Sequence, residues 1–198
     1  MSTPVRRTAA VTALTLALGL GVGACSGGDD PGDPAAESPG ATPREPAERT
    51  VETLVSFGEV TGRMDRPTRQ RLQQQVQAVV DGWTEAAYLG GDYPRRAFAD
   101  AWPGFTRGAQ DQARRDRALM SNQDIGDRID GVSPRLSVLV LDVLAAQGRP
   151  VGVTARVRLG FRTTGDLERT VRVTGRLFLT RTDGQWKVFG YDVTKGAV

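Results

Sequence analysis

Two stretches of strict two-residue alternation restrict this chain more than anything else in it. In VGVTARVRLGFR, Val151, Val153, Ala155, Val157, Leu159 and Phe161 fall on one side, and Thr154, Arg156, Arg158 and Arg162 on the other. VRVTGRLFL repeats the pattern, with Val171, Val173, Leu177 and Leu179 opposed to Arg172, Thr174 and Arg176. A period of two is what a pleated strand imposes when one face is buried and the other meets water. Upstream, LSVLVLDVLA (Leu136 to Ala145) is apolar on both faces, as a central or doubly covered strand would be. Downstream, QWKVFGYDV closes the series, and Gly190 is expected to mark a bulge. The connections AQGRP, TTGDLE and TDGQ are too short for crossovers and therefore turn hairpins. The C-terminal third thus predicts an antiparallel meander of about four strands.

The preceding residues obey a different period. Leu72, Val76, Val79, Val80, Trp83 and Ala87 recur every three or four positions and form one apolar stripe. Asp65 is the expected cap of this long helix, and Pro67 falls in its first turn, where a missing N–H does little harm. Gly90 and Gly91 end it. Phe98 and Trp102, four apart, predict a short helix over Arg95–Trp102, broken by Pro103 and Gly104. Thr106 then caps a weaker helix through about Met120, and SNQDIGDRIDGVSP is a loop. TVETLVSFGEV (Thr50 to Val60) fits a strand through Val51, Val55 and Phe57, or a short helix through Leu54 and Val55; an edge strand is the preferred reading. Helices first and sheet last make a single α+β domain over residues 50–198, the long amphipathic helix packing on a curved antiparallel sheet.

This order of elements, together with the closing DGQWKVFGYDVTKG in which a turn precedes Trp-x-Val, resembles the nuclear-transport-factor-two-like, or cystatin-like, cone family over about residues 67–195. The resemblance implies a cone-like sheet wrapped around the long helix, and a homodimer formed through that sheet. Within the family the chain is similar to small actinobacterial lipoproteins and to proteins accessory to mammalian-cell-entry lipid transporters. The latter usually carry a spanning helix where this chain has a lipidation motif. Enzymes of the same fold place a carboxylate in the apolar cone as general base.

The N-terminal 24 residues read as an export signal. Arg6 and Arg7 supply a positive start, Ala9 to Ala24 is an apolar run, and small residues precede the only cysteine. Val22-Gly23-Ala24-Cys25 resembles the lipobox of bacterial lipoproteins, which implies cleavage before Cys25 and a diacylglyceryl group on its sulfur. A buried thiol is the alternative, but Gly, Ser and Asp on either side offer no core. One cysteine cannot make a disulfide within the chain. Residues 26–49 carry six acids against Arg44 and Arg49, and nine of the 24 are Gly or Pro. Such a composition cannot bury enough surface to offset its ordering entropy, so 25–49 reads as a lipidated Cys and a disordered tether.

Chemistry is constrained mainly by absence. With no histidine, imidazole triads and imidazole metal sites are excluded, no Gly-rich phosphate loop follows a strand, and no metal or other cofactor is implied. Asp124, Asp127 and Asp130 are spaced by three, unlike a calcium loop, and read as solvated loop carboxylates. Asp142 interrupts the apolar Val138, Val140 and Leu144 and is the one weak catalytic candidate; desolvation in an apolar cone would raise its pKa toward that of a general base. Trp83, Tyr88 and Tyr93 are the candidate pocket lining for such a site. An ion pair with an arginine, or contact with water near a strand end, is the simpler reading of Asp142. Phe98, Trp102 and Phe105 read as core rather than as a pocket mouth.

Charge supplies the surface signal. Residues 135–198 carry 11 basic and five acidic groups, and Arg156, Arg158, Arg172 and Arg176 are expected to line adjacent strands on one face. That candidate basic contact face suits an anionic envelope polymer, anionic lipid or an acidic envelope protein. A sequence pI near 9.5 would also suit nucleic acid, but export argues against it. The expected function is therefore a non-catalytic ligand- or partner-binding module, exported and anchored to the outer face of the cell membrane. A small-molecule enzyme of the isomerase, cyclase or hydratase type with Asp142 as base is one rival, and an accessory subunit of an exported lipid-transport machine the other. A Cys25→Ser variant is expected to lose its lipid mass and leave the membrane fraction; retention there with no lipid on the wild-type cysteine would refute the anchor.

Overall fold

A computed structural model describes residues 51–198. The signal, the lipobox residues Val22, Gly23 and Ala24, Cys25 and the 25–49 tether lie outside the described residues. The domain runs β1 (Leu54–Thr61), α1 (Arg66–Thr84) with a terminal π-helical turn (Glu85–Leu89), α2 (Arg107–Arg115), α3 (Arg117–Met120), β2 (Gly131–Ala146), β3 (Arg149–Thr164), β4 (Thr170–Thr182) and β5 (Gln185–Ala197). It is α+β, with one open sheet in the order β1-β2-β3-β4-β5. No helix among the described residues is long and apolar enough to cross a membrane.

The expected four-stranded antiparallel sheet is instead five-stranded and mixed. β2 to β5 form the predicted meander, while β1 joins the free edge of β2 in parallel. The long excursion through three helices between β1 and β2 makes the parallel pairing sterically available. The first strand therefore occupies an edge, as its composition indicated, but its direction had no local signature. Gly190 lies beside the expected bulge, with Phe189 as the extra residue between the pairs Phe178–Gly190 and Leu179–Val188.

The core is the meeting of two periodicities. Leu72, Val76, Val80, Trp83 and Ala87 from the helix stripe are buried in one cluster with Leu139, Leu141, Val157, Leu159, Phe161, Val173 and Leu177 from the sheet. Asp65 caps α1, its carboxylate accepting from Thr68 N at 2.8 Å. Hydrogen bonds from Thr68 hold that carboxyl below the usual range. Thr106 caps α2 as expected, but the helix breaks at Asp116, where the backbone leaves the helical region.

No helix forms over Arg95–Trp102, contrary to the four-residue spacing of Phe98 and Trp102. Both rings are buried all the same. Tertiary contacts hold this segment: Arg95 N donates to Gly126 O at 2.7 Å, and the Arg95 guanidinium stacks 4.0 Å from the Phe98 ring centroid. The four-residue spacing signalled burial, not a helix.

Two helix C-termini end inside the domain, and side chains from elsewhere satisfy them. Around α3, Arg117 O accepts from Ser121 Oγ (2.7 Å), Ala118 O from Lys195 Nζ (3.0 Å) and Leu119 O from Tyr88 OH (2.7 Å). Met120 O accepts from both Trp83 Nε1 (3.3 Å) and Trp102 Nε1 (3.1 Å), and Ser121 O from Lys195 Nζ (2.7 Å). The π-helical turn is closed from the other side. Ala86 O accepts from Arg95 Nη2, Ala87 O from Asn122 N, and Tyr88 O from Asn122 Nδ2 and Tyr93 OH. The carbonyls of residues 86–88 and 117–121, which the helix ends leave orphaned, thus each have a donor.

Lys195 is the linchpin, because it reaches from β5 to α3 and pairs with Asp124 at 2.5 Å while only 4% of its side chain is exposed. Replacing it with Met leaves two carbonyls and Asp124 unpaired, and is expected to cost about 1–3 kcal/mol, read as a lower urea midpoint; an unchanged midpoint would contradict the capping role. Tyr191 donates to Asp116 Oδ2 at 2.7 Å, and burial, then that hydrogen bond, push its phenol above the usual value. Fully buried Tyr88 is raised in the same direction, chiefly by burial. A phenol held above its unfolded value contributes stability that is complete below about pH 10 and is lost as pH rises beyond it. Burial pulls Lys195 the other way, so its contribution grows as pH approaches its unfolded value. Denaturation of wild type and Tyr191→Phe between neutral and strongly alkaline pH isolates the phenol: the variant should lose less stability above pH 10.

Candidate functional site

The two faces of the sheet have different fates. Inward residues are buried beneath the helices, whereas the outward residues of β1 to β5 are exposed or half-exposed. Cross-strand register then sets the pattern on the open face. Arg156 lies opposite Arg176, Arg158 opposite Thr174, and Arg172 opposite Gly160. Because directly paired residues share a face, all four predicted arginines are on the open side, separated by strand pleats.

Asp142 belongs to this open face and not to an apolar cone. Its Oδ2 meets Arg156 Nε at 2.9 Å, and its Oδ1 accepts from Arg156 Nη2 at 3.0 Å and Glu59 N at 2.9 Å. The bidentate pair is stronger than a single contact and fixes the guanidinium plane. It also explains Gly58: a Cβ there would sit 2.2 Å from Asp142 Oδ1 and 2.5 Å from Arg156 Nη2. Asp142 thus ties the bulged edge strand β1 to the centre of the sheet. The apolar, water-free surroundings that a general base would need are absent. Like charges directly opposite destabilise a sheet, and here Asp142 beside Arg156 and Asp192 across from Arg176 offset the pair.

A depression of about 410 Å³ opens over this row, lined by Glu59, Asp142, Thr154, Arg156, Arg176 and Phe178. A second, of about 360 Å³, continues from it toward Leu144, Gly152, Phe178 and Phe189. At one end of the trough Arg156 and Arg176 stand among the Glu59 and Asp142 carboxylates and the Thr154 hydroxyl, and the other end, toward Leu144, Phe178 and Phe189, is apolar. Among the described residues, Arg158, Arg172 and Arg176 have no carboxylate within salt-bridge distance, so their guanidinium donors face solvent. Arg162, on the same face, is engaged by Glu168.

Trp83, Tyr88 and Tyr93 border neither depression. Trp83 and Tyr88 are fully buried, stacked edge to face at 5.5 Å, and their polar atoms serve the helix-end caps. Tyr93 is half-buried and caps the π-helical turn. The three loop aspartates do not gather: Asp124 pairs with Lys195, Asp127 with Arg96, and Asp130 lies apart beside Gly165.

The trough adds residues that charge pattern alone passed over. Phe178 and Leu144 were visible in principle, since each sits in the outward register of its strand, with Arg176 and Asp142 respectively. Phe189 carried no such signal, because a bulge decides which way it points. Comparison with protein-family models, with curated proteins and with solved structures returned no match for this chain.

Proposed function

We propose that this chain is a non-catalytic binding module of the cell envelope, exported, held on the outer face of the membrane by lipidated Cys25, with the open face of its sheet as the contact surface. The observation that carries the reading is the arginine face itself: Arg158, Arg172 and Arg176 point away from the core, unpaired among the described residues, on a sheet face that no described helix packs against. Arginine presents a rigid fork of donors suited to carboxylate and phosphate oxygens, so the partner is anionic. The lipobox supplies location and the tether supplies reach. The cone family remains the relationship we propose, supported by the order of a long amphipathic helix followed by an antiparallel meander.

The test uses the full chain carrying Cys25→Ser, which removes the anchor and leaves only the contact of the domain with the envelope. Residual association with isolated envelopes is expected to fall as salt rises, because exposed charges are screened beyond about 10 Å at 0.1 M ionic strength. Adding Arg156→Gln, Arg158→Gln, Arg172→Gln and Arg176→Gln should abolish it at low salt. Equal association of the two chains at low salt would eliminate the arginine face as the contact surface.

A further inference from the structure

Resting on the open-face reading, we propose that the trough is a docking site for anionic phospholipid in a bilayer surface, with Arg176, which unlike Arg156 has no carboxylate partner among the described residues, at the phosphate and Leu144, Phe178 and Phe189 at the boundary with the acyl chains. Three observations converge on this occupant. The first is the clustering of exposed apolar side chains. Leu144 and Phe189 are each 54% exposed, and both line the second depression together with Phe178.

The second is how Phe189 came to point outward. The bulge between Phe178 and Leu179 leaves Phe189 unpaired and turns it out beside Phe178. Bulges re-aim side chains, and this one adds an aromatic ring to the patch. Among the described residues nothing buries Leu144 or Phe189. Phe178 and Phe189 lie 6.4 Å apart, and a Cβ on Gly152 would meet nothing within 4 Å, so the floor between Leu144 and the two rings is bare.

The third is the spacing between charge and apolar surface. Phe178 is two residues along β4 from Arg176, and Thr154 two along β3 from Arg156, which is about 7 Å at strand rise. Interfacial segments bury their apolar face by about 5–10 Å at the boundary of headgroup and acyl chain, so one pleat repeat spans the step from phosphate to hydrocarbon. A purely polar anionic polymer would leave Leu144, Phe178 and Phe189 in water. An acidic protein segment would satisfy the arginines, and the test below separates it from lipid.

The full chain with Phe189→Trp supplies the reporter. The three native indoles, Trp83, Trp102 and Trp186, are 4% exposed or less, and the wild-type chain corrects for them. The chain is reconstituted in vesicles of phosphatidylcholine, with or without phosphatidylglycerol, that carry bromine on the acyl chains. Quenching of the new indole is expected in the phosphatidylglycerol vesicles and much less in phosphatidylcholine alone. Arg176→Gln should lower the docked-to-free ratio about fivefold, and Leu144→Gln should lower it as well. Equal quenching in both vesicle types would overturn headgroup recognition. Absence of quenching, alongside an arginine-dependent association with isolated envelopes, would overturn the lipid partner while leaving the open face as the contact surface.

Discussion

The domain depends on the burial of two helix ends. A helix that stops inside a protein exposes its last carbonyls to a place without water, and each one left unmet costs about 1–3 kcal/mol. Here α3 is a single turn, so all of its carbonyls are end carbonyls. Ser121, Lys195, Tyr88, Trp83 and Trp102 meet them, from the chain's own turn, from β5, from the end of α1 and from the connecting loop. The π-helical turn is met in return by Asn122, Arg95 and Tyr93. The two ends therefore cap each other. The concentration of partial negative charge also explains why Lys195 tolerates burial, since cations are favoured at helix C-termini.

That arrangement decides where the molecule can make contacts. The aromatic residues that would have walled an inner pocket are consumed in holding the helical layer on the sheet, and the inner face is filled by one continuous core. The opposite face stays open, and there the same strands present arginines, hydroxyls and a bare trough. The pair Asp142–Arg156 sits at the centre of that face and braces the parallel edge strand through Glu59 N. A carboxylate that looked anomalous among apolar neighbours is explained by its cross-strand partner.

Much of the fold was legible from periodicity, because periodicity reports a repeated local condition. The β3 and β4 alternation, the α1 stripe with its Asp65 cap, and the Thr106 cap each arise within a few residues of one another in sequence. The failures were of one kind. Phe98 and Trp102 are spaced for a helix, but their burial is enforced by Arg95 and Gly126. Val151 obeys the alternation of its strand and is still 46% exposed, at the bulge between the pairs Leu144–Gly152 and Ala145–Pro150. The parallel direction of β1 is permitted by the long helical excursion that follows it, and no residue inside Leu54–Thr61 encodes it.

By itself the sequence determined the class of the domain, the core-facing residues of the long helix and the meander, the common face of the four arginines, and the exclusion of imidazole chemistry. These follow from local pattern and composition, since the pleat and the helical turn act over two to four residues. Only the tertiary structure decided that Asp142 is paired on the open face, that Trp83, Tyr88 and Tyr93 are caps, and that Leu144, Phe178 and Phe189 share a trough with Arg156 and Arg176. Those facts depend on which residues distant in sequence become opposite one another. Cross-strand register and bulge position set that, and both are fixed by packing of the whole sheet against its helices.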